Sequence, residues 1–391
     1  VGKARRKAAK KVAPGEPIDF GFFKSEIEKD DGVMVMRGVD VPDPEPNKSG
    51  SLNLDFDLIV PFPEGRIIEV FGEESTCKTT LALEVAGNAI QAGKTVLYVN
   101  MEKNLNLSLL KSIRSLRAIV DDALLQMDEG GNECPLWIVN PANGEQALEA
   151  MKRFAQMVPG GIAILDSVDA AQPEAVMTGQ IGENKVGNLG KLMSDAMRKL
   201  TTDAERNKVT LIFINQIRDK ITLYGDPATT PGGRALKFYS SQRIRLLKPT
   251  KADVVVSREG DKVGVIIRYR VIKNKVAPDG NEGAFPVLFG AGIFREQEII
   301  TSCANFGILR MGGKGGKQVF LPVIDRATGE YVMEGEEKKC VCMRQIDAAR
   351  RLLLDEKLCS LLESELRETM EVGSSGIDLF LSDEIQDSEG E

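Results

Sequence analysis

Gly72-Glu-Glu-Ser-Thr-Cys-Lys78-Thr79 is the stretch on which the reading of this 391-residue chain turns. Before it lies an apolar run, residues 66–72 (RIIEVFG), with the composition of a buried strand; after it, residues 80–91 carry helical periodicity. A loop of the form GxxxxGK[ST] that leaves a strand and opens a helix is a phosphate cradle. Its backbone amides and the helix N-terminus face the phosphates, its lysine reaches the terminal ones, and its hydroxyl ligates Mg²⁺. Lys78 and Thr79 fill those two roles, and Gly72, Glu73, Glu74, Ser75, Thr76, Cys77 and Thr80 complete the nucleotide-binding stretch. Cys77 departs from the pattern, standing where the motif has its second glycine, a residue free to adopt positive φ. Either the loop works with a thiol there or it has lost nucleotide binding. The intact Lys78, Thr79, strand and helix favour the first.

Outward from the loop the pattern repeats. Residues 95–101 (TVLYVNM), 136–140, 161–167 (GIAILDS) and 209–216 (VTLIFINQ) read as buried strands, and residues 144–158 and 187–207 as helices. Near-continuous apolar strands separated by helices imply an α/β fold whose mostly parallel central sheet is covered on both faces. Residues 263–275 and 284–289 then read as consecutive strands with no helix between them. Four regions are expected. A basic N-terminal arm spans 1–48 and ends near the proline-rich 41–46, which cannot continue a helix. An ATPase core spans 49–290. A small C-terminal α/β domain spans 291–375, with a glycine-rich turn at 311–317 and one charged helix at 345–370. An acidic, disordered tail closes the chain at 376–391.

Three more side chains fall at strand ends, where open α/β sheets gather their ligands. Asp166 ends the run 162–165 as a carboxylate that holds Mg²⁺ together with Thr79. Glu102 follows 95–101 and is placed to orient or deprotonate an attacking water. Gln216 ends 209–215 and is placed to sense a terminal phosphate. An acid at one strand end is commonly a solvated loop residue; the set in this order points to ATP hydrolysis.

Composition narrows the chemistry. The chain has no histidine, which excludes Ser/His catalysis and imidazole metal sites and leaves carboxylates and lysines as bases. Its six cysteines form no CxxC pair, which argues against a zinc ribbon or disulfide framework and suits a reducing, cytoplasmic location. No apolar run is long enough to cross a bilayer. The net charge of −7 is unevenly placed, since residues 378–391 carry six acids and no base. Any nucleic-acid binding would therefore have to rest on local patches. The start VGKARRKAAKK reads as a solvated or nucleic-acid-touching arm, with a transit peptide as the alternative.

The text around these motifs resembles the bacterial RecA family in order and separation: residues 49–55 (SGSLNLD), 65–69 (GRIIE), 144–149 (GEQALE), 193–200 (MSDAMRKL), 211–218 (LIFINQIR), Gly232-Gly233 before 235–239 (ALKFY), and Lys273-Asn-Lys275. The likeness covers roughly residues 20–300. It implies a RecA-type ATPase core, a helical filament of head-to-tail protomers binding ATP between neighbours, and homologous pairing and strand exchange between single- and double-stranded DNA.

The resemblance also implies DNA-contacting residues. Residues 178–187 look like a first DNA loop and 217–233 like a second, bringing Val186, Gly187, Arg218, Lys220, Ile221, Gly232, Gly233 and Arg234 to DNA, with Val186 and Ile221 as apolar wedges. Lys191, Ser194 and Arg198 share one helical face and meet the same strand; alone, that face would read as a solvated stripe. Lys248, Arg268 and Arg270 are candidates for a duplex site, though cationic strand residues are commonly just solvated. Lys273 and Lys275, two apart on a strand, share a face that the resemblance sets against the ATP of the adjacent protomer as catalytic cations. Near the base, Asn106 and Leu109 replace a family acid and tyrosine, and Phe289 replaces another tyrosine that stacks. Two other classes share such a core, a hexameric helicase and a hydrolysis-deficient protein that coats single-stranded DNA.

Overall fold

The computed structural model describes residues 20–28, 35–36, 38–126, 134–178, 188–219, 228–257, 259–313, 317–325, 327–335 and 337–372. The chain divides into two compact units, 1–44 and 45–391. The first carries helix α1 (Phe20–Ile27), beside whose end Lys24 pairs with Glu28 at 3.7 Å.

In the second unit the apolar runs are strands β1 (Ile67–Gly72), β2 (Val96–Asn100), β3 (Leu136–Val139), β4 (Ile162–Asp166) and β5 (Thr210–Gln216), all parallel. Beyond β5 a short antiparallel pair forms from β6 (Arg218–Asp219) and β7 (Ala228–Thr229). β8 (Gln242–Leu246) adds to the free side of β1 in parallel. β9 (Val254–Val256), β10 (Lys262–Asn274), β11 (Glu282–Leu288) and β12 (Gly292–Ile293) continue the sheet by antiparallel pairing. The result is a ten-stranded sheet in the order β12-β11-β10-β8-β1-β5-β4-β2-β3, with β9 on β10. The consecutive strands expected near 263–289 are the β10–β11 hairpin.

Strand alternation explains the two cores. Ile68, Val70, Val96, Tyr98, Ile164 and Ile212 point to one face, where α2 (Leu52–Leu58), α3 (Lys78–Gln91) and α5 (Arg114–Gln126) cover them. The short α4 (Leu107–Lys111) precedes α5 on that side. Leu97, Val99, Ala163, Leu165, Leu211 and Phe213 point to the other, beneath α6 (Gly144–Met157), α8 (Asn188–Asn207) and α9 (Ala235–Tyr239). The single turn α7 (Glu174–Met177) follows β4. Each fully buried leucine or isoleucine among them contributes about 2–5 kcal/mol against truncation to alanine. Burial on both faces is why these strands read as unbroken apolar runs.

A third core gathers Ile299, Ile300, Leu321, Leu352, Leu358 and Leu362. It is built by α10 (Arg295–Asn305), α11 (Gln345–Leu354) and α12 (Glu356–Val372) against a small sheet of β13 (Met311–Gly312), β14 (Gln318–Pro322) and β17 (Cys340–Arg344); β15 (Met333–Glu334) and β16 (Glu337–Lys338) form a separate hairpin. The single helix expected over 345–370 is thus two. Asp355 leaves helical geometry, at φ −134°, and its carboxylate accepts from the Leu358 N–H at 3.2 Å, starting the second helix.

Candidate functional site

The phosphate loop is shaped by its neighbours. A Cβ at Gly72 would lie 2.4 Å from the carbonyl oxygen of Leu246 on the adjoining strand, so only glycine fits there. Ser75 takes φ 61° and Cys77 takes φ 59°, ψ 29°, the left-handed conformation that a glycine would supply without strain. Cys77 therefore keeps the backbone path of the motif, its thiol packed against the core under α3. Burial pushes that thiol's pKa up, opposed by a hydrogen bond with Thr80 and by the Lys78 and Lys262 charges.

Lys78 is buried at the start of α3, its ammonium donating to the Gly72 carbonyl at 3.1 Å, to the Glu73 carbonyl, and to the Thr76 hydroxyl at 3.4 Å. Burial lowers its pKa, against the pull of Asp166 and Glu102. The helix N-terminus adds its own partial positive charge at the loop. Glu73, Glu74 and Ser75 are exposed on the rim.

The strand ends beside the loop converge. Asp166 is buried, and one of its carboxylate oxygens accepts from Thr79 Oγ1 at 2.7 Å and from the Tyr98 hydroxyl at 2.6 Å. Burial raises the Asp166 pKa, while the two hydroxyls and Lys78 hold it down. Mg²⁺ keeps several waters and is held through one or two protein groups plus substrate phosphates. The Thr79–Asp166 pair fits that mode, and among the described residues no cluster of three or more His, Cys, Asp or Glu side chains offers another ion site. Glu102 is fixed by three donors: Ser167 Oγ at 2.7 Å and Gln216 Nε2 at 3.3 Å on one oxygen, and Asn104 Nδ2 at 3.1 Å on the other. Glu74, Lys78, Thr79, Glu102, Asp166 and Gln216 line a cleft of about 630 Å³, which also takes in Pro249, Lys262, Val265 and Phe289.

Gln216 is tied to more distant parts. Its backbone N–H donates to Asn215 Oδ1 at 3.0 Å, and Asn215 Nδ2 donates to buried Glu69 at 3.0 Å and to the Pro231 carbonyl at 3.1 Å. Arg243, stacked over the Phe71 ring, neutralises Glu69. Pro231 leads into Gly232 and Gly233, both at positive φ. A Cβ on Gly232 would sit 3.0 Å from Val168, and one on Gly233 would sit 3.3 Å from Gly190 near the start of α8. The glycine turn that closes the second expected loop therefore lies against the start of α8. Exposed Arg234 lies beside them, and on α8 Lys191 and Arg198 are exposed with Ser194 half-buried, opposite the buried Met193, Met197 and Leu200. Arg198 pairs with Asp195 at 2.5 Å. Val186, Gly187, Lys220 and Ile221 lie outside the described residues, and of Arg218 only the backbone, in β6, is described.

Other candidates have different surroundings. Asn106 does not line the cleft; it caps α4, its Oδ1 accepting from the Leu109 N–H at 2.9 Å, while Leu109 packs on the core. Phe289 does line it. Lys248 pairs with Glu73 of the phosphate loop at 3.5 Å, Arg268 with Asp253 at 3.1 Å, and Arg270 with Glu282 at 2.7 Å. Lys273 donates to the carbonyls of Lys237 and Phe238 at 2.8 and 3.1 Å, and Lys275 to that of Phe238 at 3.3 Å, both at the end of α9. Register puts the adjoining Asn274 level with Gln242 and so with Ile68. That is roughly 13 Å along the sheet from the loop of the same chain. Sequence reasoning passed over Tyr98, Asn104, Ser167 and Lys262; strand alternation alone does not reveal partners on separate strands.

The fold and cleft define a P-loop nucleotide-binding protein of the strand-end carboxylate type. The RecA N-terminal domain family matches residues 24–294. Protein RecA of Aquifex pyrophilus is 38% identical over 294 residues, covering 74% of this chain and 79% of its own. Protein RecA of Bacteroides thetaiotaomicron is 38% identical over 305 residues, covering 76% and 83%. A solved RadB recombinase is 19% identical with a TM-score of 0.43, over 63% of this chain and 98% of its own. The chain belongs to the RecA family of recombinases.

Proposed function

We propose that the protein is a DNA-dependent ATPase that polymerises as a helical filament on single-stranded DNA and exchanges strands with a homologous duplex, in the cytoplasm. The observation that carries this reading is the hydrogen-bonded chain Glu102–Gln216–Asn215–Pro231. It joins the residue that faces an attacking water to the glycine turn beside α8, where Lys191, Ser194 and Arg198 stand in a row. Bound DNA and a bound terminal phosphate would thus bias one set of side chains, which is what coupling between two sites requires. Lys78 holds the phosphates, Thr79 and Asp166 would hold Mg²⁺, which neutralises phosphate charge when bound, and Glu102 orients water and takes its proton. Lys273 and Lys275 serve the cleft of the neighbouring protomer, and Arg268 and Arg270 the incoming duplex.

Phosphate release with and without single-stranded DNA tests the reading. Lys78→Ala should abolish hydrolysis in both, and Glu102→Gln should bind ATP yet turn it over at least about a hundredfold more slowly, on filaments that persist. Normal turnover by Lys78→Ala would remove the loop from the reaction. Imaging on DNA separates a filament from the closed ring of a helicase.

A further inference from the structure

Strand order gives the cleft two flanks. Glu102, Asp166 and Gln216 come from the β2, β4 and β5 side of β1, and Pro249, Lys262, Val265 and Phe289 from the β8, β10 and β11 side. A nucleotide whose phosphates lie on the loop and whose terminal phosphate faces Glu102 has its base directed to the second flank. Phe289 offers a ring there that is 54% exposed, and Pro249 and Val265 add apolar wall. The only charged or hydrogen-bonding side chain of these four is Lys262, whose ammonium stands 5.4 Å from the centre of the Phe289 ring, within cation–π range.

An ammonium has three donors and no acceptor. Glu74, the acid of the phosphate loop that also lines the cleft, belongs to the loop and not to this flank. Asn106 lies off the cleft with its Oδ1 committed to the Leu109 N–H, and Glu73 on the rim is paired with Lys248. The side chains of this flank therefore present a stacking face and donors to the edge of a base. Adenine shows an amine donor at position 6 beside the N7 acceptor, whereas guanine shows a carbonyl acceptor beside N7, as does hypoxanthine. We propose that Lys262 and Phe289 form a base-recognition pair that admits 6-oxo purines, so that the site takes GTP and ITP as well as ATP. This rests on the nucleotide reading of the cleft and specifies its substrate class.

The test compares binding of ATP, GTP and ITP, with hydrolysis of each on single-stranded DNA, for the full chain and its variants. Lys262 is exposed near the start of a strand, and Lys262→Met keeps the aliphatic stem, so folding is preserved. The unaltered protein should bind GTP within about tenfold of ATP. Lys262→Met should weaken GTP and ITP by about tenfold or more and ATP by less than about threefold, the loss expected for one charge-assisted hydrogen bond. Lys262→Arg should retain GTP. A preference of the unaltered protein for ATP beyond about tenfold, a parallel loss of all three nucleotides in Lys262→Met, or no change in any, overturns the proposal. If no nucleoside triphosphate binds and Lys78→Ala behaves as the unaltered protein does, the nucleotide reading itself fails, and this proposal with it.

Discussion

Cys77 holds φ at 59° where the phosphate loop becomes α3. A left-handed conformation costs a residue with a Cβ roughly 1–2 kcal/mol, and glycine would remove that cost while adding about 0.5–1 kcal/mol of chain entropy. The two nearly cancel, so Cys77→Gly should leave nucleotide affinity within about threefold of the original and the melting temperature nearly unchanged. A β-branched residue cannot take this backbone cheaply. Cys77→Val should strain the loop by about 1–3 kcal/mol and weaken nucleotide binding about tenfold or more. Nucleotide titrations decide it: equal affinity in Cys77→Val and Cys77→Gly would mean that φ at this position does not govern the cradle.

At the scale of elements, the joint between α2 and α10 turns on one buried acid. Glu298 accepts from Ser51 Oγ at 2.7 Å and from the Leu52 and Asn53 N–H groups at 3.1 and 3.4 Å, so a side chain of α10 caps the start of α2. Burial pushes its pKa up to about 8, against those donors and Arg295. Asp55, one turn along α2, is pushed by burial to about 6. Both are acids raised above their unfolded values, so the folded state keeps protons that the unfolded state releases. Stability is then fully present below the unfolded pKa near 4.5 and falls as pH rises towards about 8. The slope for Glu298 is at most about 1.4 kcal/mol per pH unit. Relative to the protonated acid, Glu298→Gln gives up about 1–2 kcal/mol because its amide meets the Leu52 N–H, but it no longer bears the cost of the raised pKa at pH 6. Its stability should then change less between pH 6 and 8. Denaturant midpoints at the two pH values measure this, and identical pH slopes would show that Glu298 ionises without opposition.

At the scale of the whole molecule, Lys273 and Lys275 stand at the far end of the sheet from their own phosphate loop. In the proposed filament they would act on a terminal phosphate across a head-to-tail junction. Lys273→Ala/Lys275→Ala and Glu102→Ala proteins should each be nearly inactive on single-stranded DNA. Random mixing leaves about a quarter of head-to-tail junctions with an intact Glu102 facing intact lysines, and ATPase activity should recover towards that fraction. No recovery despite confirmed co-polymerisation would confine both lysines to their observed bonds with α9. Burial and Lys275 both lower the Lys273 pKa, so a neighbouring phosphate would find the pair already crowded with positive charge.

The residues determined by sequence alone are those whose meaning is local. The strand-loop-helix context of Lys78 and Thr79, the strand ends at Glu102, Asp166 and Gln216, and the double-faced burial of β1, β2, β4 and β5 all follow from runs shorter than twenty residues. The family followed too, because its motifs are contiguous strings. What the tertiary structure decided depends on pairings between distant segments. Tyr98 holds Asp166 because β2 lies beside β4; Lys248 answers Glu73 because β8 lies beside β1; Glu298 caps a helix 246 residues away. Asn106 turned out to cap a helix rather than line the cleft, and Lys262 entered it, because register and strand order carry a side chain to a site that no spacing along the chain records.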